Sequence, residues 1–167
     1  SGGWGEACPR TLACALAMQG EMAQFSAVPT PDGKVHALTM KIGIAYGPVR
    51  RFRPGAADYG CFDVLVGATV DRMAAAEHHA DKGETICAPE IPALVGPAAS
   101  WGDDREGFRP LLALDPAAVP PLPPVAEIPP LPAEVIRPCF PPALFDWLSG
   151  TQGRFMAGLR PVISAFV

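Results

Sequence analysis

The residues from Asp63 to Ala80, DVLVGATVDRMAAAEHHA, hold the densest set of groups able to do chemistry. Val64, Leu65 and Val66 form a short apolar run that ends at Gly67. Val70, Met73, Ala74 and Glu77 then recur at helical spacing. A strand that turns through glycine into a helix offers the free N–H groups of a helix start, an arrangement suited to phosphate. Asp71 and Arg72 fall in that first turn. His78 and His79 do not make a metal site, because adjacent residues point about 100° apart on a helix. Glu77 and Asp81, both acidic and four apart, complete no triad with them.

The remaining reactive side chains form no second centre. His36 is isolated. The five cysteines, at 8, 14, 61, 87 and 139, have no CxxC or Cys/His spacing, which suits reduced, partly buried thiols in a cytoplasmic protein. No Ser, Cys and His stand in a nucleophile arrangement, and the three tryptophans are too scattered for a base-stacking platform. Arg50, Arg51 and Arg53 are the tightest basic group. At a net charge of -4 they suit a solvated loop better than a phosphate contact, so no nucleic-acid partner is expected. No apolar run reaches the roughly 18 residues that a membrane span needs, so no membrane partner is expected either.

The elements that would position these groups follow from periodicity. Pro9 to Phe25 is expected as a helix with Pro9 in its first turn and Leu12, Ala15, Leu16, Met22 and Phe25 along one stripe. VPTPDGK is a loop with an Asp-Gly turn. Val35 to Tyr46 is expected as a strand, with Leu38, Met40, Ile42 and Ile44 on one face. Val49 to Gly60 is a long hairpin arm or loop, and Cys61 to Val66 a second strand. Thr69 to Ala80 is a helix that Lys82-Gly83 closes. Glu84 to Ala88 is a short strand, Pro89 to Val95 a short helix, and Gly107 to Leu114 a last short strand.

The composition then shifts. Most of the 21 prolines lie beyond Leu114, where VPPLPPV from Val119 is echoed by IPPLPAEV from Ile128. Such a stretch favours extended polyproline II over helix or sheet and suits a semi-rigid linker. Docking to an aromatic groove is the alternative. PALFDWL gives a short helix after it, and LRPVISAFV a β-rich run up to Val167. With a Gly-rich start lacking Met, the sequence reads as cut at both ends. The expected organisation is 1–114 as the C-terminal part of a first domain, 115–142 as linker, and 143–167 as a short helix and the first strand of a second domain.

Three blocks together resemble class III nucleotide cyclases, the adenylate and guanylate cyclase family: MKIGIAYGPV, DVLVGATVDRMAAAEHHADKGE and ETICAPEI, in order and in register over Leu38 to Ile91. RTLACALAMQGEMAQF is similar to a helix of that family, and LRPVISAFV to the opening strand of a cyclase domain. The layout is most like the tandem-cyclase bacterial relatives of soluble adenylyl cyclase. The resemblance implies an α+β fold, an incomplete ferredoxin-like cyclase sheet with helices on one face, followed by the Pro-rich extended linker.

It also implies a chemistry. A ribose 3′-oxygen attacks the α-phosphate of ATP, with two Mg²⁺ held by carboxylates and an Arg neutralising the developing charge. The two metal-binding Asp of the family would precede Ser1, so the resemblance puts no metal ligand in this chain, and Asp58, Asp63 and Asp71 do not substitute. The ribose-positioning Asn aligns with Asp71, the phosphate-binding Arg with Ala75, and the base-reading residue, three before Gly67, with Val64. Asp63, next to Val64, would point to the opposite face of a strand. Arg72 lies three positions before Ala75 and cannot simply replace the Arg. The nucleotide positions Val64, Gly67 and Asp71 thus keep a backbone without its reactive side chains, and no catalytic residue is intact. The implied parent makes cyclic AMP and pyrophosphate from ATP with Mg²⁺, pairing with a second cyclase-like domain or a dimer partner. This half alone is expected to be inactive. The alternative is a non-catalytic pseudo-cyclase module that works by pairing.

Overall fold

The computed structural model describes residues 4–56, 60–122, 124, 129–140, 144–145 and 149. Helix α1, Trp4–Glu21, turns Leu12 and Ala15 fully inward, with Cys8 and Leu16 partly buried beside them. The spacing 8, 12, 15, 16 is one helical stripe. The helix starts five residues before Pro9, which therefore lies inside it rather than opening it. Pro9 still lies so near the start that the one backbone bond it forgoes belongs to Gly5. A single 3₁₀ turn, Met22–Phe25, continues α1.

Strands β1, Val28–Pro29, and β2, Val35–His36, close the VPTPDGK loop into a small hairpin with Val28 opposite His36. The single strand expected from Val35 to Tyr46 is broken. Its second piece is β3, Ile42–Ile44, and Leu38 between the two is exposed. The Met40 carbonyl is taken by Gln19 Nε2 at 3.2 Å and the Gly83 N–H at 3.0 Å, so a helix side chain and a turn, not a neighbouring strand, hold that stretch.

Then come β4, Arg50–Phe52; β5, Gly55–Ala56; β6, Gly60–Cys61; and β7, Val64–Val66. β4 pairs with β7 and β5 with β6, each in a two-stranded ladder apart from the main sheet. Helix α2, Ala68–His78, follows, then β8, Thr85–Cys87; α3, Glu90–Val95; β9, Ala99–Trp101; and β10, Arg109–Leu114. α2 stops four residues short of Lys82, so Gly83 (φ +86°) shapes the turn into β8 and does not cap the helix.

The main sheet has the order β3-β8-β10-β9. β3 runs parallel to β8, with Ile42, Gly43 and Ile44 opposite Thr85, Ile86 and Cys87. The other two ladders are antiparallel. A parallel pair needs a crossover, and α2 supplies it, covering one face. Ala76 and Ala80 there bury Ile86, with Phe108 packed against them. The other face buries Ile44, Cys87 and Leu111 under Leu12 and Ala15 of α1 and Ile91 of α3. The fold is α+β, and helices lie on both faces of the sheet rather than one. α2 comes unusually close. A β-carbon on Gly43 would overlap the Met73 carbonyl oxygen and lie 2.7 Å from Glu77 N.

These elements fall into two compact units. The first holds residues 1–51 and 65–126, and the second 52–64 and 127–167. In the first, Arg10 Nη2 donates to the Pro121 carbonyl at 2.8 Å, which ties the start of the Pro-rich stretch to α1. In the second, the prolines do not prevent helix formation. α4, Ala133–Ile136, and a 3₁₀ turn, Arg137–Cys139, form there, and Arg53 Nη2 reaches Cys139 Sγ at 3.7 Å. Most of PALFDWL and all of LRPVISAFV lie outside the described residues.

Candidate functional site

The strand–glycine–helix unit is present. Gly67 takes φ 131° and ψ 169° immediately before α2, a conformation that only glycine adopts without strain. Its carbonyl accepts from Val70 N at 2.8 Å and Asp71 N at 3.3 Å. The helix start is nonetheless sealed by protein. Thr69, buried, donates its hydroxyl to the Pro48 carbonyl at 2.8 Å, so the Gly47-Pro48 turn lies across the first turn of α2. The fit leaves no room for a side chain at Gly47. A β-carbon there would lie 2.6 Å from Thr69 Oγ1 and 2.8 Å from Arg72 Nη2.

Arg72 is committed to this seal. Its Nη2 donates to the Tyr46 carbonyl at 3.0 Å, and its Nε donates to Glu90 Oε1 at 3.3 Å. The same carboxylate oxygen accepts from Tyr46 N at 2.9 Å. Burial alone would raise the Glu90 pKa. The N–H groups of Tyr46 and Glu90 and the Arg72 charge outweigh it and hold the carboxyl below its ordinary value. Three elements, α2, the end of β3 and α3, therefore meet at one ion pair. Glu90 was not legible as a site residue from the sequence. The one available signal was its place in the first turn of a short helix, where acidic residues suit the dipole.

The other expected positions are placed as follows. Asp71 is exposed in the first turn of α2, and Ala75 is half-buried one turn on. Val64 is exposed on β7, outside the main sheet. Beside the helix start, a cavity of about 300 Å³ is lined by Ala45, Tyr46, Val49, Leu65, Val70 and Met73 among others. No charged side chain lines it, so it offers apolar contact and no counter-charge for a phosphate chain. Among the described residues no three His, Cys, Asp or Glu side chains converge as metal ligands, and no helix is long and apolar enough to cross a membrane.

A second ion cluster lies at the far end of α2. Arg105 holds Glu84 through two bonds, Nη1 to Oε2 at 2.7 Å and Nη2 to Oε1 at 2.9 Å, and also donates to the His79 carbonyl at 2.7 Å. The bonds from Arg105 hold the Glu84 carboxyl below its usual pKa. His79 stacks on Phe108, with ring centroids 4.7 Å apart. This histidine is a packing residue at the end of α2, and the Arg–Glu fork fixes the β9–β10 turn to the start of β8. All five cysteines are free thiols, and Cys87 is fully buried.

Compared with protein-family models, curated proteins and solved structures, the chain matches none.

Proposed function

We propose that the chain is part of a class III nucleotide cyclase, a degenerate half that is inactive alone, within a parent that converts ATP to cyclic AMP and pyrophosphate with Mg²⁺ in the cytoplasm. The observation that carries this reading is the seating of the three motif blocks. MKIGIAYGPV spans β3 and its turn, DVLVGATVDRMAAAEHHADKGE spans β7, Gly67 and α2, and ETICAPEI spans β8 and the start of α3. Each block thus covers the strand–turn or strand–helix junction that its motif implies. The side chains at the reactive positions do not follow. Asp71 is a carboxylate that phosphate oxygens would repel, Ala75 carries no charge, and Arg72 is engaged by Tyr46 and Glu90. In this reading the metal ligands lie outside this chain, and Asn, Arg and base recognition belong to a second cyclase-like domain.

The test is a cyclase assay of the chain with Mg²⁺ and ATP, read as cyclic AMP by mass spectrometry. No product above a buffer blank is expected, and Mg²⁺-dependent turnover would overturn the assignment of this half as inactive. In the parent, Asp71→Asn with Ala75→Arg then asks whether this face meets substrate. A gain in activity would put substrate on this face.

A pseudo-cyclase module that works by pairing is the second reading. The exposed Leu65 and Val66 favour it, because apolar side chains left in water on a short strand suit a docking surface. Unchanged activity of the parent carrying both Asp71→Asn and Ala75→Arg, together with loss of pairing in Leu65→Asp, would select it.

A further inference from the structure

The main sheet ends at β3, and among the described strands none lies beyond it. Ile42 N donates to the Glu84 carbonyl at 3.0 Å, and the Ile44 carbonyl accepts from Ala88 N at 2.8 Å, so both residues turn their backbone groups toward β8. Alternation along the strand then turns both groups of Gly43 the other way, toward an open edge. Natural sheets blunt such an edge with proline, a bulge or charge, or cover it with a loop. The edge itself reads Ile-Gly-Ile and has none of the first three. Beside it lies a cavity of about 560 Å³ walled by α1, β3 and α2.

One wall of that cavity comes from elsewhere. Leu122 shares it with Arg10, Cys14 and Met18 of α1 and Gly43 of β3. The path that brings Leu122 there is held at two points. After β10, Asp115 N donates to the Ala98 carbonyl at 2.7 Å, and Asp115 Oδ1 accepts from Ala117 N at 2.9 Å, so the chain leaves the sheet in a fixed direction. Pro120 and Pro121 follow. Proline-rich backbone makes no hydrogen bonds of its own, so its carbonyls take donors from water or from another part of the protein. Arg10 supplies them here, Nε to the Pro120 carbonyl at 3.4 Å and Nη2 to the Pro121 carbonyl at 2.8 Å. One guanidinium thus holds two successive carbonyls of a segment 110 positions away. Arg10, Cys14 and Met18, spaced by four, put this grip and the cavity wall on one face of α1. Leu122 is 82% exposed, so it stands at the mouth of the cavity and does not fill it.

We propose that Pro120–Leu122 is a strap that Arg10 latches across α1, and that it gates the open edge of β3. Latched, the strap keeps Leu122 at the mouth and restricts entry. Released, it frees the Gly43 groups and the apolar walls beside them for a ligand. Such a strap opens without unfolding, because its carbonyls exchange Arg10 for water while α1 and the sheet keep every backbone bond of their own. The proposal does not rest on the cyclase reading.

The test uses the whole 167-residue chain. In Leu122→Cys, a short bis-maleimide should join the introduced thiol to Cys14 at least tenfold faster than to Cys139, which is also exposed and is nearer in sequence. Adding Arg10→Ala should abolish that preference. With Leu122 in place, Arg10→Ala should speed alkylation of Cys14 by N-ethylmaleimide at least fivefold and leave the Cys139 rate unchanged. Pro121→Gly, which loosens the strap and leaves α1 untouched, should speed Cys14 alkylation as well, so the test stands even if Arg10→Ala does not fold. Circular dichroism reports which variants are folded. Cross-linking to Cys14 no faster than to Cys139 overturns the proposal. So does a Cys14 alkylation rate that the folded variants leave unchanged or lower.

Discussion

The contact between Gly43 and α2 makes Gly43→Ala the sharpest test of the packing. A methyl group there would overlap the Met73 carbonyl oxygen, and would lie 2.7 Å from Glu77 N and 3.1 Å from Glu77 Cβ. Ordinary carbon contacts need about 3.5 Å or more. Two of the three obstacles are helix backbone, which no rotamer change can move. Relief requires α2 to lift by nearly an ångström from a sheet face where Ala76 and Ile86 are fully buried. β3 cannot give way instead without breaking its ladder to β8. Overpacking of this kind costs roughly 1–3 kcal/mol, and a backbone obstacle places this case at about 3. For a chain of this size that is a fall in Tm of about 6–12 °C. Gly20→Ala is the matched control. That glycine lies within α1 with nothing near its missing β-carbon, so alanine should stabilise by about 0.5–1 kcal/mol. Urea titrations followed by circular dichroism measure both. A Gly43→Ala chain within about 1 kcal/mol of the unaltered one would refute the close approach of α2 to the sheet.

The junction at Glu90 should respond to atoms rather than charge alone. Glu90→Ala, which strands the Tyr46 N–H, is expected to cost about 1–2 kcal/mol by urea titration, and Glu90→Gln less, because an amide oxygen can still accept. The lowered pKa of Glu84 gives the stability curve an acid limb. Its contribution is present above the unfolded pKa of about 4.3 and is lost as pH falls through the lower folded value. Arg105→Ala should therefore flatten the melting temperature between pH 5 and 3, measured against the unaltered chain. Burial, with a lesser push from Cys8, raises the Cys87 thiol to about 12. At pH 8 a maleimide should label exposed Cys139 within minutes and spare Cys87 until the chain unfolds, read by peptide mass spectrometry.

Much of this architecture was legible where the local pattern and the tertiary demand agreed. Leu12, Ala15 and Leu16 marked the face of α1, and Thr69 to Ala80 came within two residues of α2 at each end. Glu84 to Ala88 enclosed β8 because its apolar run is buried throughout. β9 was missed. Ala99–Ser100–Trp101 has no period to detect, and it is a strand only because β10 offers it a partner at Leu111 to Leu114. Leu38 and Met40 misled in the opposite way, since their alternation continues that of β3 while Gln19 and Gly83 capture the backbone between. At the site, the backbone of Gly67 was legible and its partners were not. That Arg72 faces Tyr46 and Glu90 depends on the start of α2, the end of β3 and the start of α3 converging at one edge of the sheet, which no local spacing encodes.

The register of the sheet also sets the order in which it assembles. Trp101 and Leu111 pair across 10 positions of sequence, whereas Ile42 and Thr85 pair across 43. Closing the longer loop costs about 1.3 kcal/mol more in chain entropy, before any contact within the crossover repays it. The β9–β10 hairpin should therefore be structured in the folding transition state, and the β3–β8 ladder should close after it. Substitutions at Trp101 would then slow folding, while substitutions at Ile44 would mainly hasten unfolding. The ladder that bears both the open edge and the close contact with α2 is the last to close and the first to release. Its lifetime, more than the overall free energy, governs how long that edge survives as a template for another strand.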